Sequence, residues 1–460
     1  MKLREMYGDV FRYWNGPNCF IVFNKFEQVV HILSSRNMTK YDRTETDLHV
    51  FRPFQPNGLE AVQGDKHKIF KRLLHPLVRN SNMTHYLEET VKRIDEWLLL
   101  LRERNASDNS IIHTDLVEQL AILAFQLVIG QFCADYNLKI MGKNEEEVKQ
   151  ANNIYIAMRD IANHAAFIGR YSIPERIAYI YFKMSSTFRR AVRIMRPIVK
   201  DITDYLICIQ EENNNSSHIN DSQLSKTLKD VASITVDQSN MIKDNSREKT
   251  VTISREIMED WILSSFGGAY DSSSAYAWFI YYMSKYPHVQ TSIKHELSEH
   301  NITRYTVLNS DLIGKLTYID CVLKEVLRHA PLIETVQRQV VEPDIIDGVK
   351  LSIGDRILLP IRSIHRSEDI WRHPAGPDAF VPERFLEEDK STCSQALLTF
   401  GGGLRRCFGQ NLALFHLKVF IVRSMQQLSF YDAPGNNGGT HHSTSGFPKQ
   451  MVIYITYEGN

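Results

Sequence analysis

The chain has 460 residues and a mass of 53.3 kDa, enough for several units or one large fold, and enough to bury a core without disulfide support. Its 54 Lys+Arg balance 54 Asp+Glu, which excludes nucleic-acid recognition through overall basic charge. With 43% hydrophobic and 23% charged residues it is neither disordered nor fibrous, and six cysteines without a C-x-x-C pair argue against a disulfide scaffold and for a reduced compartment.

No run reaches the roughly 18 consecutive apolar residues of a membrane-spanning helix. The most apolar stretch, Val117 to Cys133, is interrupted by Glu118, Gln119, Gln126 and Gln131. The first residues, Met1-Lys2-Leu3-Arg4-Glu5-Met6, lack the apolar core of a signal peptide, so an N-terminal anchor is expected to be absent.

The first sixty residues read as β-rich. Val10 to Trp14 and Cys19 to Phe23 are β-branched and aromatic runs around Asn15-Gly16-Pro17-Asn18, the pattern of a hairpin. Helical spacing follows: Leu87, Val91, Ile94, Leu98 and Leu101 form one stripe, and Leu116, Leu120, Leu123 and Leu127 another, after a Thr114-Asp115 cap. Further helices are expected over 145–166 and 175–210. The polar segment 211–249 reads as a surface excursion with one short helix near 224–231. A long helix is expected from about Ser254 to Lys285, stopped before Pro287, then helices over 288–300 and 316–329. Residues 336–362 return to strand character, with Gly354-Asp355 expected to turn a hairpin between Val349–Ile353 and Arg356–Leu359. Met451 to Ile455 reads as a last strand. The result is a mainly α fold with small β-sheets contributed from both ends, and no internal repeat.

The most informative stretch runs from Phe400 to Ala413. A dinucleotide-binding reading fails, because the sixth position of its G-x-G-x-x-G is Arg406 and only about fifty residues remain. A turn with a buried cysteine would explain a lone Cys. Here the neighbours complete F-x-x-G-x-R-x-C-x-G with Phe400, Gly403, Arg405, Cys407 and Gly409, a match expected by chance on the order of once in 10⁵. This loop resembles the haem-ligand motif of the cytochrome P450 family, the haem-thiolate monooxygenases.

The resemblance implies haem b with Cys407 as the metal ligand, glycines that let backbone approach a flat macrocycle, and Phe400 shielding the sulfur. It implies Arg405 as a partner of a haem propionate. Glu325-x-x-Arg328 lies 79 to 82 residues before Cys407, where the family places its buried pair, and Pro382-Glu383-Arg384-Phe385 matches its P-E-R-F segment. By that likeness Glu325, Arg328 and Arg384 form a structural charge cluster. Arg338 stands where the family often binds a propionate. Gly64 to Pro76 is similar to the family's W-x-x-x-R helix but carries His67 for Trp and Lys71 for Arg; both still donate hydrogen bonds, and a solvated basic face is the competing reading.

Phe266 to Ser274 corresponds to the family's A/G-G-x-D/E-T-T oxygen-binding segment. An ungapped match puts Tyr270 at the acid; a one-residue slip makes Asp271 the acid and Ser272 the alcohol, the catalytic pair that would feed protons to iron-bound oxygen. The residues leave both registers open. His295-Glu296-Leu297-Ser298-Glu299-His300 misses the zinc-protease H-E-x-x-H: histidines five apart lie about 140° around a helix rather than about 40°. It reads as a solvated face.

The expected protein is therefore a single haem-thiolate domain over 1–460 with the long central helix above the haem. It would insert one atom of O2 into a small apolar substrate, with electrons from a separate NADPH-dependent reductase. Arg406 and Lys418 are candidate docking charges for it. Substrate contacts are expected from Phe51, Phe54, Phe266, Leu332 to Val336 and Ser445-Gly446-Phe447. The alternatives are a reductase-independent haem-thiolate isomerase or dehydratase and a non-enzymatic haem-binding protein. The family likeness implies a monomer at the endoplasmic-reticulum membrane, with peripheral membrane contact; without an anchor, a cytoplasmic location is the other reading.

Overall fold

A computed structural model describes residues 2–37, 39–108, 112–132, 145–215, 254–386 and 390–458. After a short helix α1 (Lys2–Tyr7), strands β1 (Val10–Asn15) and β2 (Asn18–Phe23) form the expected hairpin, in register from Val10 opposite Phe23 to Asn15 opposite Asn18. Gly16 takes φ +58° in its two-residue turn, a conformation that favours glycine. The β-rich expectation ends there, because α2 (Phe26–Leu33) follows, burying Val29, Ile32 and Leu33 at three- and one-residue steps.

Strand β2 continues into a sheet whose other members are β3 (Tyr41–Asp42), β5 (Val336–Val340) and β8 (Arg356–Leu359), in the order β1-β2-β8-β5-β3. Residues from both parts of the chain thus share one sheet, which sets Arg338 and Asp42 on adjacent strands. The expected hairpin at Gly354-Asp355 is not formed. The turn is instead Asp347-Gly348, with φ +48° and +81°, joining β6 (Asp344–Ile346) to β7 (Val349–Leu351). Asp-Gly with both residues at positive φ is the stronger hairpin signal. Gly354, at φ +92°, instead redirects the chain so that β8 pairs with β5 and β2.

The helical body is built on α5 (Asn80–Asp108), α6 (Leu116–Phe132), α10 (Arg255–Lys285) and α16 (Gln410–Met425). Aromatic contacts bind them: Trp97 on Phe420 at 5.6 Å, Phe125 edge-on to Phe266 at 5.9 Å, and Tyr276 stacked on Phe420 at 4.8 Å. Helix α10 starts at Ser254, whose hydroxyl accepts from the Ile257 N–H, and stops before Pro287. Over it lies α7 (Glu145–Arg170), followed by α8 (Glu175–Met184) and α9 (Ser186–Asn215). One helix was expected over 175–210. It breaks at Ser185, which is extended (φ −63°, ψ 117°) and uses its hydroxyl to cap the Phe188 N–H at 3.2 Å, a serine side chain competing with helix continuation. The short helix expected at 224–231 lies outside the described residues. Helix α11 (Pro287–Glu299) and α13 (Thr317–His329) match expectation. Strands β9 (Leu428–Asp432), β10 (Gly438–His442), β11 (Gly446–Gln450) and β12 (Ile453–Tyr457) close the chain.

Candidate functional site

The cysteine loop leaves the core at Leu398 and returns at α16. Cys407 N–H donates to the Phe400 carbonyl at 2.9 Å, closing it. Gly401 and Gly403 hold φ +68° and +67°, and a Cβ on Gly402 would come within 2.8 Å of the Leu33 Cβ, so the loop can lie this close to α2 only with glycine there. Cys407 borders an interior cavity of about 870 Å³. Cys407 is exposed, and it lies at the lining of that space. Burial pushes the thiol up to about 11, against the pull of the Gly409 N–H on the sulfur.

Four sequence candidates meet on one wall of this cavity. His67 and Lys71 come from α4 (Gly64–Leu74), Arg338 from β5, and Arg405 from the cysteine loop, with Arg43 beside them. Lys71 Nζ donates to the Leu404 carbonyl at 2.9 Å, and Arg338 Nη1 to the Gln337 carbonyl at 2.8 Å. Arg405 is more engaged than expected: its Nε donates to Asp42 Oδ1 at 2.5 Å and its Nη2 to the Val62 carbonyl at 2.8 Å. Among the described residues, His67 Nδ1 is buried without a hydrogen-bond partner. Burial, then Arg405 and Lys71, push the His67 imidazole down to about 3; burial and Arg43 push Arg338 down to about 10. The wall thus carries a surplus of positive charge, which fits the two carboxylates of haem.

The opposite wall is α10. A Cβ on Gly267 or Gly268 would meet nothing within 4 Å, so bare backbone faces the cavity. Asp271, Ser272 and Tyr270 also border it. Asp271 Oδ1 accepts from Thr444 Oγ1 at 3.0 Å and Ser445 Oγ at 2.7 Å, both from the loop between β10 and β11. Burial pushes the Asp271 carboxyl up to about 6, the two hydroxyls oppose this, and the charge of Glu60 adds to it. Ser272 Oγ donates to the Gly268 carbonyl at 2.9 Å, while Tyr270 packs on Phe447 with ring centroids 5.0 Å apart. Tyr270, Asp271 and Ser272 all border the cavity, so the acid and alcohol positions of both registers lie at its wall.

Beneath the loop, Glu325, Arg328 and Arg384 are buried together. Arg328 grips Glu325 with Nε at 2.7 Å and Nη2 at 2.8 Å; Arg384 Nε adds a bond at 3.1 Å and the Val381 N–H one at 2.8 Å. Five further guanidinium bonds go to the carbonyls of Gly376, Pro377, Ala379 and His365. Sequence reasoning missed His365. Its Nε2 accepts from the Leu398 N–H at 2.9 Å and its Nδ1 donates to the Arg328 carbonyl at 3.2 Å, so a neutral imidazole couples the cluster to the start of the cysteine loop. Burial, then Arg328, push it down to about 3.

Other expectations change. Phe51, Phe54, Leu332 to Val336, Ser445 and Gly446 line the cavity, but Phe266 packs on Phe125 and Phe447 on Tyr270, both in the core. Lys418 is buried and paired with Asp320 at 2.7 Å, so it is not a free docking charge; Arg406 is exposed, with Nε on Gln410 Oε1 at 2.6 Å. His295 is exposed beside Glu299, whereas Glu296 is buried and accepts from the Tyr318 and Ile319 N–H groups, capping α13 rather than facing solvent. Glu60, Ser443 and Thr444 border the cavity with no local motif to announce them.

A thiol on a glycine-rich loop borders the same cavity as the continuous helix α10 and a cationic wall, an arrangement able to hold a haem-thiolate centre. The cytochrome P450 family model matches residues 1–452, and the chain belongs to that family, whose members bind haem b through a cysteine thiolate. The chain is 27% identical to cytochrome P450 3A6 of Oryctolagus cuniculus over 94% of this chain and 81% of that one, and 28% identical to cytochrome P450 3A14 of Cavia porcellus over 41% and 37%. The latter match spans little more than a third of its relative. The solved structure of retinoic acid bound cyanobacterial CYP120A1 superposes with a TM-score of 0.73 at 18% identity, covering 99% of this chain and 93% of that one. Among the described residues no helix is long and apolar enough to cross a membrane.

Proposed function

We propose that this protein is a haem-dependent monooxygenase that inserts one atom of O2 into an apolar organic substrate, the other leaving as water. Two electrons come from a separate NADPH-dependent reductase and two protons from solvent. The observation that carries this reading is Cys407 opposite Asp271 and Ser272 across one cavity. Residues 1–460 act as one haem-binding unit, a monomer associated with the endoplasmic-reticulum membrane.

Haem b, when bound, supplies the activation and transfer of oxygen. Cys407 would hold it as a thiolate, giving up its proton on ligation, with the Gly409 N–H stabilising the sulfur charge. His67, Lys71, Arg338 and Arg405 would hold the propionates, while Phe400 and Gly403 shape the loop beneath. On the other side, Asp271 moves protons between solvent and the oxygen site, and Ser272 presents its hydroxyl to that site. Phe51, Phe54, Leu332 and Val336 orient an apolar substrate and exclude water.

The test is a carbon monoxide difference spectrum of the reduced, haem-loaded protein, followed by NADPH-dependent oxygen uptake with a reductase and a lipophilic substrate. A thiolate-type band with product-coupled uptake is expected. The same band with reductase-independent isomerisation or dehydration overturns the monooxygenase in favour of an isomerase. A haem complex that forms no product with either defines a haem-binding protein.

A further inference from the structure

Helix α10 carries a row of polar side chains that starts at the cavity and continues behind its wall. Asp271, Ser274 and Trp278 follow one another at three and four residues, within about 60° around the helix axis. Asp271 borders the cavity, while Ser274 and Trp278 lie buried behind it. All three reach the same short segment, where the turn after β10 enters β11. Thr444 and Ser445 donate to Asp271, and the Gly446 carbonyl accepts twice, from Ser274 Oγ at 2.6 Å and from Trp278 Nε1 at 2.7 Å. Both lone pairs of that carbonyl are thus taken by side chains of one helix.

The same glycine holds a second part of the wall. Its N–H donates to the Leu332 carbonyl at 3.2 Å, and Leu332, Ser445 and Gly446 all border the cavity. Gly446 therefore sets the spacing between two stretches that are far apart in the chain. The donors behind it are fixed. The Trp278 indole stacks on Tyr282 with ring centroids 5.6 Å apart and meets Tyr281 edge-on at 5.4 Å, and Tyr282 in turn stacks on Phe380 at 4.6 Å. Ser274 is fully buried. A Cβ on Gly446 would lie 3.0 Å from Thr440 Cγ2, so the segment has little room to shift toward β10.

We propose that Ser274 and Trp278 are positioning residues for substrate: by holding the Gly446 carbonyl they fix the wall made by Leu332, Ser445 and Gly446, and so decide which substrate shapes the cavity accepts. The inference rests on this cavity being the substrate site proposed above, and it names residues that select substrate without touching it. The two donors share one acceptor. Losing either leaves the carbonyl held by the other; losing both leaves it buried and unpaired, and the segment must turn to satisfy it.

The haem-loaded parent, Ser274→Ala, Trp278→Phe and the double variant are titrated with imidazole, 4-phenylimidazole and 1-dodecylimidazole, binding being read from the shift of the haem absorption band. An azole nitrogen ligates haem iron, so the three ligands share one anchor and differ in how far they reach toward the wall. Imidazole, the smallest, is expected to bind every variant within about twofold of the parent. The affinity ratio of the dodecyl to the phenyl ligand is expected to change about twofold in each single variant and about tenfold in the double, more than the singles multiplied. If the double variant takes up no haem, Ser274→Thr decides: it keeps the hydroxyl and should hold the parent ratio that Ser274→Ala changes. A ratio unchanged in the double variant, singles that simply multiply, or a weakening of all three ligands together overturns the positioning role. The underlying reading is reported separately. A parent whose haem band no azole shifts sinks the substrate site itself, whereas a double variant that ranks the azoles as the parent does sinks only the clamp on Gly446.

Discussion

Two buried carboxylates, one on each side of the cavity, show how the same group serves opposite ends. Glu325 is fully buried and meets two guanidiniums and a backbone N–H, so its charge is compensated within about 3 Å on every side. Asp271 has two hydroxyls and, among the described residues, no ion-pair partner. The first is a closed electrostatic lock that positions the cysteine loop through His365. The second is left under-compensated, and burial holds its carboxyl near 6, where it can change protonation in neutral solution.

Replacing each by its amide should therefore move stability in opposite directions. Glu325→Gln leaves Arg328 and Arg384 buried without a counter-charge, and an expected loss of about 3–5 kcal/mol is the largest effect here. Denaturant unfolding monitored by haem retention checks it. Asp271→Asn should stabilise. The folded carboxyl sits at about 6 against an ordinary value near 3.8, so its contribution favours folding below pH 3.8 and is lost as pH rises through 6. At pH 8 the variant is expected to be more stable by about 2–3 kcal/mol, and at pH 3.8 no more stable than the parent. Its turnover should fall by about 10²-fold and lose the inflection near pH 6, as expected of a lost proton relay. Two amides that destabilise alike would erase the distinction.

His365→Leu probes the link between the lock and the loop. It leaves the Leu398 N–H and the Arg328 carbonyl without their side-chain partner, a cost of about 2 kcal/mol. The readout that separates positioning from mere stability is the carbon monoxide spectrum, which should gain a component without thiolate ligation. His365→Gln, which keeps a donor and an acceptor, should restore most of the thiolate band.

The two regions differed in legibility for the same physical reason. Cys407, Gly403 and Arg405 fall within a few residues of one another, so loop geometry writes itself into local spacing. The pair Glu325 and Arg328 sits one helical turn apart and was legible through its distance from Cys407. The hairpin over 10–23 and the helix over 255–285 carried their own turns and caps. The Asp271 site is different: its partners lie 173 and 174 residues away on an irregular loop, and Glu60 reaches Ser264 across 204. No periodicity records such meetings. Phe266 and Phe447 were misread because an aromatic residue faces a cavity or a core with the same sequence pattern. Lys418 looked like a surface charge until Asp320, from another helix, closed on it.

The smallest effect tests whether the loop hydroxyls tune Asp271 or merely touch it. Ser445 Oγ is the shorter of its two donors, at 2.7 Å, and a bond to a charged acceptor is worth about 1.5–3 kcal/mol. That bond favours the ionised carboxylate, so Ser445→Ala should raise the Asp271 transition above 6. The turnover inflection should move to higher pH in Ser445→Ala and vanish only in Asp271→Asn. Ser445→Thr, which retains the hydroxyl, should leave the inflection in place. If Ser445→Ala lowers turnover equally at every pH, the hydroxyl shapes the substrate cavity instead, and the burial of Asp271 on α10 sets its protonation without help from the loop.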